Sequence, residues 1–252
     1  MLKNILILLF LLTAFCASTR ADARQDELGY LRTILPDALL QYAHLEVASS
    51  NAMAVLGEGT NTYLGLHVIP GQNKVNNGIR AEVSVDYPYE QGQTVSYSWR
   101  FMLPNDFASD APANRWWLIG QWHDQPDKAK GETWKGFPSR SPPVAIGLAE
   151  LDGRLVIGLT YGPTKPRNLG PLTVERGKWH NITIVIRWSR SSDGKASVFL
   201  DDLTKPALTA DGPNMHNDVQ HYLKLGMYRH PAINTDNWIY IDDVQISTIA
   251  KP

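Results

Sequence analysis

Three short segments of this 252-residue chain place side chains capable of chemistry at alternating positions. In Ile79-Arg80-Ala81-Glu82-Val83-Ser84-Val85 the apolar residues take one face of an extended strand, and Arg80, Glu82 and Ser84 take the other. In the segment from Trp116 to His123, Gln121 and His123 share a face while Trp122 points away. In the segment from Tyr222 to His230, Leu223, Leu225 and Met227 go to a core, and Tyr222, Lys224, Tyr228 and His230 project together. Gly226 is expected to leave a gap in that row where a ligand can approach the backbone. An arginine beside an amide can hold a developing negative charge. An imidazole and a phenol can take up and return a proton.

The elements that must position these groups are strands. From Ile79 onward, apolar and polar residues alternate with period two in short runs separated by Gly, Pro, Asn and Asp. Thr94 to Phe101 puts Val95, Tyr97, Trp99 and Phe101 on one face, with Thr94, Ser96, Ser98 and Arg100 on the other. Asn181 to Trp188 repeats the pattern with Ile182, Ile184, Ile186 and Trp188. Hairpins are expected at Asp152-Gly153 and around Asp193-Gly194. Helix is plausible only over Glu27 to Ala43. No repeat or linker divides the chain, so one domain is expected from residue 24 to 252. Many strands with one apolar face imply an all-β jelly-roll sandwich of two antiparallel sheets, with a polar substrate groove on its concave sheet.

Read as text, the three segments are R-x-E-V at Arg80 to Val83, Q-x-H at Gln121 to His123 and Y-x-K-x-G-x-Y at Tyr222 to Tyr228. In that order they resemble the strand motifs of jelly-roll polysaccharide lyases of the alginate lyase kind. The segments LPNDF at Leu103 to Phe107, GKWHNITIVIRWS at Gly177 to Ser189 and LGMYRHP at Leu225 to Pro231 look closer to the heparin lyase I and glucuronan lyase branch. The resemblance spans roughly Ile79 to Ile246, and the three motifs in one order are more specific than any of them alone.

The resemblance implies β-elimination on a 1,4-linked uronic-acid polysaccharide, an acidic partner. The C5 proton of a uronate is acidified only by the neighbouring carboxylate, so that charge must be neutralised before a base removes the proton and an acid protonates the leaving O4. The implied catalytic residues are Arg80 and Gln121 at the carboxylate, with His123 and Tyr228 as base and acid. If both groups leave from one side, Tyr228 does both jobs and His123 helps to neutralise the carboxylate. Glu82, Arg100, Tyr222, Lys224 and Arg229 are the substrate-binding candidates. Arg229 stands where alginate lyases more often carry Asn and Gln, which ranks glucuronan-like or glycosaminoglycan-like chains ahead of alginate.

The competing readings are weaker. Arg80 and Glu82 alone would be an ordinary ion pair on a sheet face, and His123 alone a structural histidine; the coincidence of three motifs outweighs both. A lectin-like sandwich that binds carbohydrate without catalysis would use the same aromatics and cations, but has no use for a base and acid pair. Glu150 and Asp152 resemble a glycoside hydrolase pair only partly, and Asp152 reads as a turn. The seven histidines show no zinc spacing and no phosphate loop appears. No cofactor is required for the chemistry. Asp243, beside Asp242, is the candidate ligand for a structural Ca²⁺.

With 24 Lys and Arg against 25 Asp and Glu, the formal charge is -1, and no basic stripe supports nucleic-acid binding. Residues 1–23 read as a signal peptide: Lys3, the apolar run from Ile5 to Phe15, then small residues. Export to the periplasm or medium is expected, with no membrane contact after cleavage and a monomeric enzyme as product. Cys16, the only cysteine, lies in that leader, so the mature chain is held by core packing without disulfides.

Overall fold

The computed structural model describes residues 23–250. The expected leader therefore lies almost wholly outside the described residues. Residues 23–32 are helical (α1), and a second short helix, α2, spans Asp37–Leu40. The single helix expected over Glu27 to Ala43 is thus split in two. Pro36 is extended at the α2 N-terminus and disfavours helix in the residue before it, which separates the two pieces. Leu31, Ile34, Leu35, Leu39 and Leu40 from this region are buried against the sandwich.

Fourteen strands follow. In chain order they are β1 (Ala43–Glu46), β2 (Met53–Glu58), β3 (Asn61–Val68), β4 (Ile79–Val85), β5 (Thr94–Met102), β6 (Trp117–His123), β7 (Val144–Leu151), β8 (Arg154–Tyr161), β9 (Arg167–Thr173), β10 (His180–Arg187), β11 (Lys195–Leu200), β12 (Leu208–Asp211), β13 (Tyr222–Arg229) and β14 (Asn237–Ile249). They form two seven-stranded antiparallel sheets, a jelly-roll sandwich. The front sheet runs β1-β4-β13-β6-β7-β8-β9 and the back sheet β12-β11-β10-β5-β14-β3-β2. Among the described residues no helix is long and apolar enough to cross a membrane.

The core lies between the sheets and is built by the alternation. Leu64 and Leu66 of β3, Trp99 and Phe101 of β5, Ile182 and Ile184 of β10, Trp122 of β6 and Leu223 and Leu225 of β13 all turn inward and are buried. Their alternate neighbours turn out. At the β7–β8 hairpin, Leu151 pairs with Arg154, and Asp152 and Gly153 both adopt positive φ. That is the two-residue turn whose twist suits a hairpin. The connection between β6 and β7 is long instead, residues 124–143, and folds back over one end of the front sheet.

Three motif strands are adjacent in the front sheet. Strand β13 lies between β4 and β6, with Tyr228 opposite Arg80 and Lys224 opposite Ser84 on one side, and Tyr222 opposite His123 and Lys224 opposite Gln121 on the other. Segments about 40 and 100 residues apart in sequence thereby share one outer face. A bulge between Leu225 and Tyr228 interrupts the pairing with β6. Gly226 sits there at φ 136°, and a Cβ on it would lie 2.2 Å from the Ala81 carbonyl oxygen. The gap expected at Gly226 is therefore filled by the neighbouring strand and by Leu66, and the glycine serves the bulge.

Candidate active site

The outer face of the front sheet carries a cavity of about 570 Å³ at the end nearest β1. Arg80, His123, Tyr222 and Lys224 line it, together with His44 and Glu46 of β1 and Trp134 of the β6–β7 connection. Its floor is a closed set of charges. Arg80 Nη1 donates to Glu82 Oε2 at 3.0 Å and to Glu46 Oε2 at 3.3 Å. Lys224 Nζ lies 2.7 and 2.9 Å from the two Glu46 oxygens. Gln121 Nε2 donates to Glu82 Oε1 at 2.6 Å, and Asn76 Nδ2 donates to Glu46 Oε2 at 2.8 Å. Two carboxylates face two cations, so this buried set is electrically balanced and each charge is hydrogen-bonded, as a buried ion network must be.

The two carboxyl groups respond oppositely to this setting. Burial pushes the Glu46 carboxyl up, but His44, Lys224 and Asn76 outweigh it and hold the group well below the usual carboxylate range. Burial wins at Glu82 and raises its carboxyl despite Arg80, Lys224 and Gln121. Arg80 Nε is buried with no hydrogen-bond partner.

His123 is set by the turn that ends β6. Its Nδ1 lies 2.8 Å from the Asp124 carbonyl oxygen, which can only accept, so Nδ1 carries a proton and Nε2 is the nitrogen left to exchange one. The Asp124 carboxylate is 3.1 Å from the same nitrogen. Beside it on the adjacent strand, the Tyr222 ring stands with its centroid 6.0 Å from that of His123. Burial pushes the Tyr222 phenol well above its ordinary value, with Glu46 adding to the shift. It is a phenol that keeps its proton.

Tyr228 is placed differently. Its ring packs under the Arg80 guanidinium, 4.0 Å from the ring centroid, and meets the edge of Trp116 at 4.7 Å. Gly78 leaves room for this packing, since a Cβ there would lie 2.4 Å from the Tyr228 ring and 2.8 Å from Arg80 Nη2. Tyr228 does not line the cavity. It pairs with Leu118, whereas Tyr222 pairs with His123, and six residues of strand separate the two tyrosines by roughly 20 Å. The sequence motif holds both tyrosines; the register brings Tyr222 to His123.

Three other expected site residues are elsewhere. Arg100 is on the outer face of the back sheet, ion-paired with Asp242 and lying over Trp179 at 5.1 Å. Alternation sends it outward correctly, but to the wrong sheet. Arg229 is fully buried: its guanidinium donates to Thr235 Oγ1, the Thr235 carbonyl oxygen and Asn237 Oδ1, and it lies over the Trp117 ring at 5.2 Å. Burial pushes Arg229 down to about 10, and no substrate can reach it. Asp243 adopts φ 52° in a bulge of β14 and accepts from Gln245, while Asp242 is engaged by Arg100. Among the described residues no group of three His, Cys, Asp or Glu could hold a metal ion. The donors at Asp243 do not fit a structural Ca²⁺, which takes six to eight oxygens.

Glu82 and Lys224 do stand at the site, but as buried partners. Glu82 is 1% exposed and Lys224 3%, so the charge of Lys224 is spent on Glu46 and does not project freely. Sequence reasoning missed Glu46, His44 and Asn76. Glu46 and His44 are two apart on β1, a four-residue strand too short to show alternation. Asn76 and Asn77, both at positive φ, formed a visible Asn-Asn-Gly turn signal that said nothing about the cavity. Asp124, Arg140 and the 57%-exposed Trp134 belong to the connection after β6 and had no periodic pattern to place them.

The family model for polysaccharide lyases matches residues 48–245. A comparison with curated proteins gives no significant match. Among solved structures the fold is similar to an endo-β-1,4-glucuronan lyase from the fungus Trichoderma reesei, at 16% identity and a TM-score of 0.57, covering 78% of this chain and 87% of that one. It is also similar to alginate lyase A1-II′, a member of polysaccharide lyase family 7, at 13% identity and a TM-score of 0.54, covering 79% and 84%. The PL-14 alginate lyase from Aplysia kurodai is 14% identical with a TM-score of 0.53, covering 79% and 88%. At these identities the likeness is one of fold, while the family match extends over most of the sequence: the chain belongs to the polysaccharide lyase family.

Proposed function

We propose that this polysaccharide lyase is exported and cleaves a 1,4-linked polyuronate by β-elimination, with glucuronan-like or glycosaminoglycan-like chains ahead of alginate. The observation that carries the reading is the pairing of an imidazole with a protonated phenol, side by side on adjacent strands at a cavity floored by Arg80. His123 Nε2 is the base for the C5 proton. Tyr222, facing it at 6.0 Å between ring centroids, is the acid for O4. This replaces Tyr228 in the acid role. Tyr228 instead packs against Arg80 and holds its guanidinium toward the cavity.

The uronate carboxylate is received by Arg80, which lines the cavity. Its negative charge grows as the C5 proton leaves, so a preorganised cation is worth more in the transition state than in the ground state. Gln121 contributes by tying Glu82 in place at 2.6 Å, which fixes the carboxylate that orients Arg80. The preference over alginate rests on the flanking segments that resemble the glucuronan branch and on the fold likeness to the Trichoderma enzyme. Arg229 no longer contributes to that ranking. Export rests on the leader pattern of residues 1–23.

Initial rates on purified glucuronan, heparan sulfate, heparin and alginate test the substrate. Glucuronan or a glycosaminoglycan should be fastest, and a clear preference for alginate contradicts the ranking. N-terminal sequencing of the protein recovered from periplasm or medium tests export, with the mature chain expected to begin near residue 24.

A further inference from the structure

Asp124 follows directly after His123 and is fully buried, yet neither carboxylate oxygen accepts a well-aligned hydrogen bond. Its two oxygens meet two ionisable side chains instead. Oδ1 is 3.1 Å from His123 Nδ1, and Oδ2 is 2.5 Å from Arg140 Nη2. A buried carboxylate is costly unless it is compensated; here one compensating group, His123, lines the cavity, and the other, Arg140, directly follows the lining residues Phe137, Pro138 and Ser139.

Arg140 leads onward from that contact. Its guanidinium lies 5.1 Å from the Phe137 ring, Phe137 packs edge-on against Trp134 at 5.5 Å, and Trp134 packs edge-on against Tyr222 at 6.3 Å. Tyr222 faces His123. The contacts therefore close a circuit around the cavity: His123, Asp124, Arg140, Phe137, Trp134, Tyr222 and back to His123. Asp124 is the only member whose charge touches both the imidazole and the cation that fastens the β6–β7 connection.

We infer that Asp124 is a positioning residue of the site, with one oxygen strengthening His123 as a proton acceptor and the other, through Arg140, holding the wall that places Tyr222. The inference rests on the proposed role of His123 as the base. An anion beside Nδ1 favours the imidazolium that forms when Nε2 takes the C5 proton. The Nδ1 proton itself is already directed by the Asp124 backbone carbonyl at 2.8 Å, so the carboxylate acts by charge and by its hold on Arg140. Burial opposes the charge, but His123, Arg140 and His221 outweigh it and hold the Asp124 carboxyl below its ordinary value. The charged and titratable groups around His123 are Asp124, with Arg140 of the β6–β7 connection behind it, Tyr222 of β13, and His44, Glu46, Arg80, Asp86 and Lys224, which line the same cavity. Behind it, His221 is pushed down by burial to about 4 and stays neutral near pH 7.

The test is a proton NMR titration of the His123 ring in substrate-free protein, assigned by comparison with His123→Gln. Asp124→Asn should move the titration midpoint to lower pH by about one unit. Arg140→Ala removes the cation that competes for the same carboxylate and should move it to higher pH. General structural damage does not produce shifts of opposite sign. In turnover assays, Asp124→Asn should lower kcat by about tenfold or more and carry the acid limb of kcat/KM to lower pH. Arg140→Ala should chiefly raise KM, as the wall bearing Trp134 loosens. Midpoints that stay in place, or that move in one direction for both variants, overturn the inference. If Asp124→Asn does not fold, Arg140→Ala decides alone, since an unmoved midpoint contradicts the account. The titration needs no substrate, so the inference can fail while lyase activity stands, and failure of the base assignment itself is read separately, in the turnover of His123→Gln.

Discussion

Arg80 and Arg100 occupy equivalent places in the alternation of their strands, yet the structure uses them in opposite ways. Arg80 is on the outer face of the front sheet and is 6% exposed, held by two carboxylates and by the face of Tyr228. Arg100 is on the outer face of the back sheet, with a third of its side chain exposed and a single carboxylate partner, Asp242. One outward face has been enclosed by β1 and by the connection after β6, while the other stays open to solvent. Enclosure is what separates the proposed catalytic arginine from the other, because a lower dielectric strengthens the interactions of its charge.

Replacing the two arginines gives the largest contrast. Arg80→Ala should lower kcat/KM by about 10³, the range for a lost charge-stabilising group. It should also cost about 3 kcal/mol or more of stability, since Glu46 and Glu82 are left buried beside a missing partner. Arg100→Ala should leave kcat/KM unchanged and cost at most about 1 kcal/mol, as for other surface pairs. Steady-state kinetics and denaturant unfolding read both, and a loss of activity in Arg100→Ala would undo the assignment of faces.

The two tyrosines of β13 sharpen the same contrast within the front sheet. Tyr222→Phe removes the hydroxyl of the ring beside His123 and should reduce kcat by about 10² to 10⁴ with little change in KM. Tyr228→Phe keeps the ring under Arg80 and should retain activity within a few-fold. The reverse result would return the acid role to Tyr228.

These tyrosines also mark how far the sequence could be read. Alternation identified the strands, the inward set of Trp99, Phe101, Trp122 and Leu225, and the three motif strands whose polar faces meet. It could not say which of two outward faces a strand contributes to, and so Arg100 was expected at the site. The same alternation, continued from Leu223, Leu225 and Met227, puts Arg229 on the core face, but it could not show Thr235 and Asn237, the polar groups that satisfy the guanidinium there. Period two assigns Tyr222 and Tyr228 to one face equally, but only the register with β6 tells which lies beside His123. Glu46, Asp124 and Arg140 come from a very short strand and a long connection. Neither has a periodicity to read.

A smaller effect separates the enclosed region from the open one by pH. His221 precedes β13 and accepts from the His216 backbone N–H at 3.0 Å, and burial holds it neutral with its value at about 4. A depressed value means that the unfolded chain binds the extra proton first. The contribution is thus complete above about pH 6.5 and is lost as pH falls toward 4, with a slope of up to about 1.4 kcal/mol per pH unit. His221→Asn, which retains a donor and an acceptor, should flatten unfolding free energy across that window. An unchanged slope would show that this histidine is protonated in the folded protein.

The smallest effect is expected on the open side. Asp243→Asn, or prolonged treatment with a chelator, should change activity not at all and stability by no more than about 0.5 kcal/mol. A fall in Tm on chelation that calcium restores would mean that a metal binds where the donor set argues against one.

The enclosed face is claimed to perform elimination, and that step leaves a product no hydrolase or binding protein makes. Ultraviolet absorbance during incubation with purified glucuronan reads it directly, because the new C4–C5 double bond is conjugated with the uronate carboxylate. The account predicts a steady rise for the native protein, a rise slower by about 10² or more for His123→Ala and for Tyr222→Phe at native stability, and an undiminished rise for Arg100→Ala. Chain shortening without absorbance, or an equal rise from Tyr222→Phe, would contradict it.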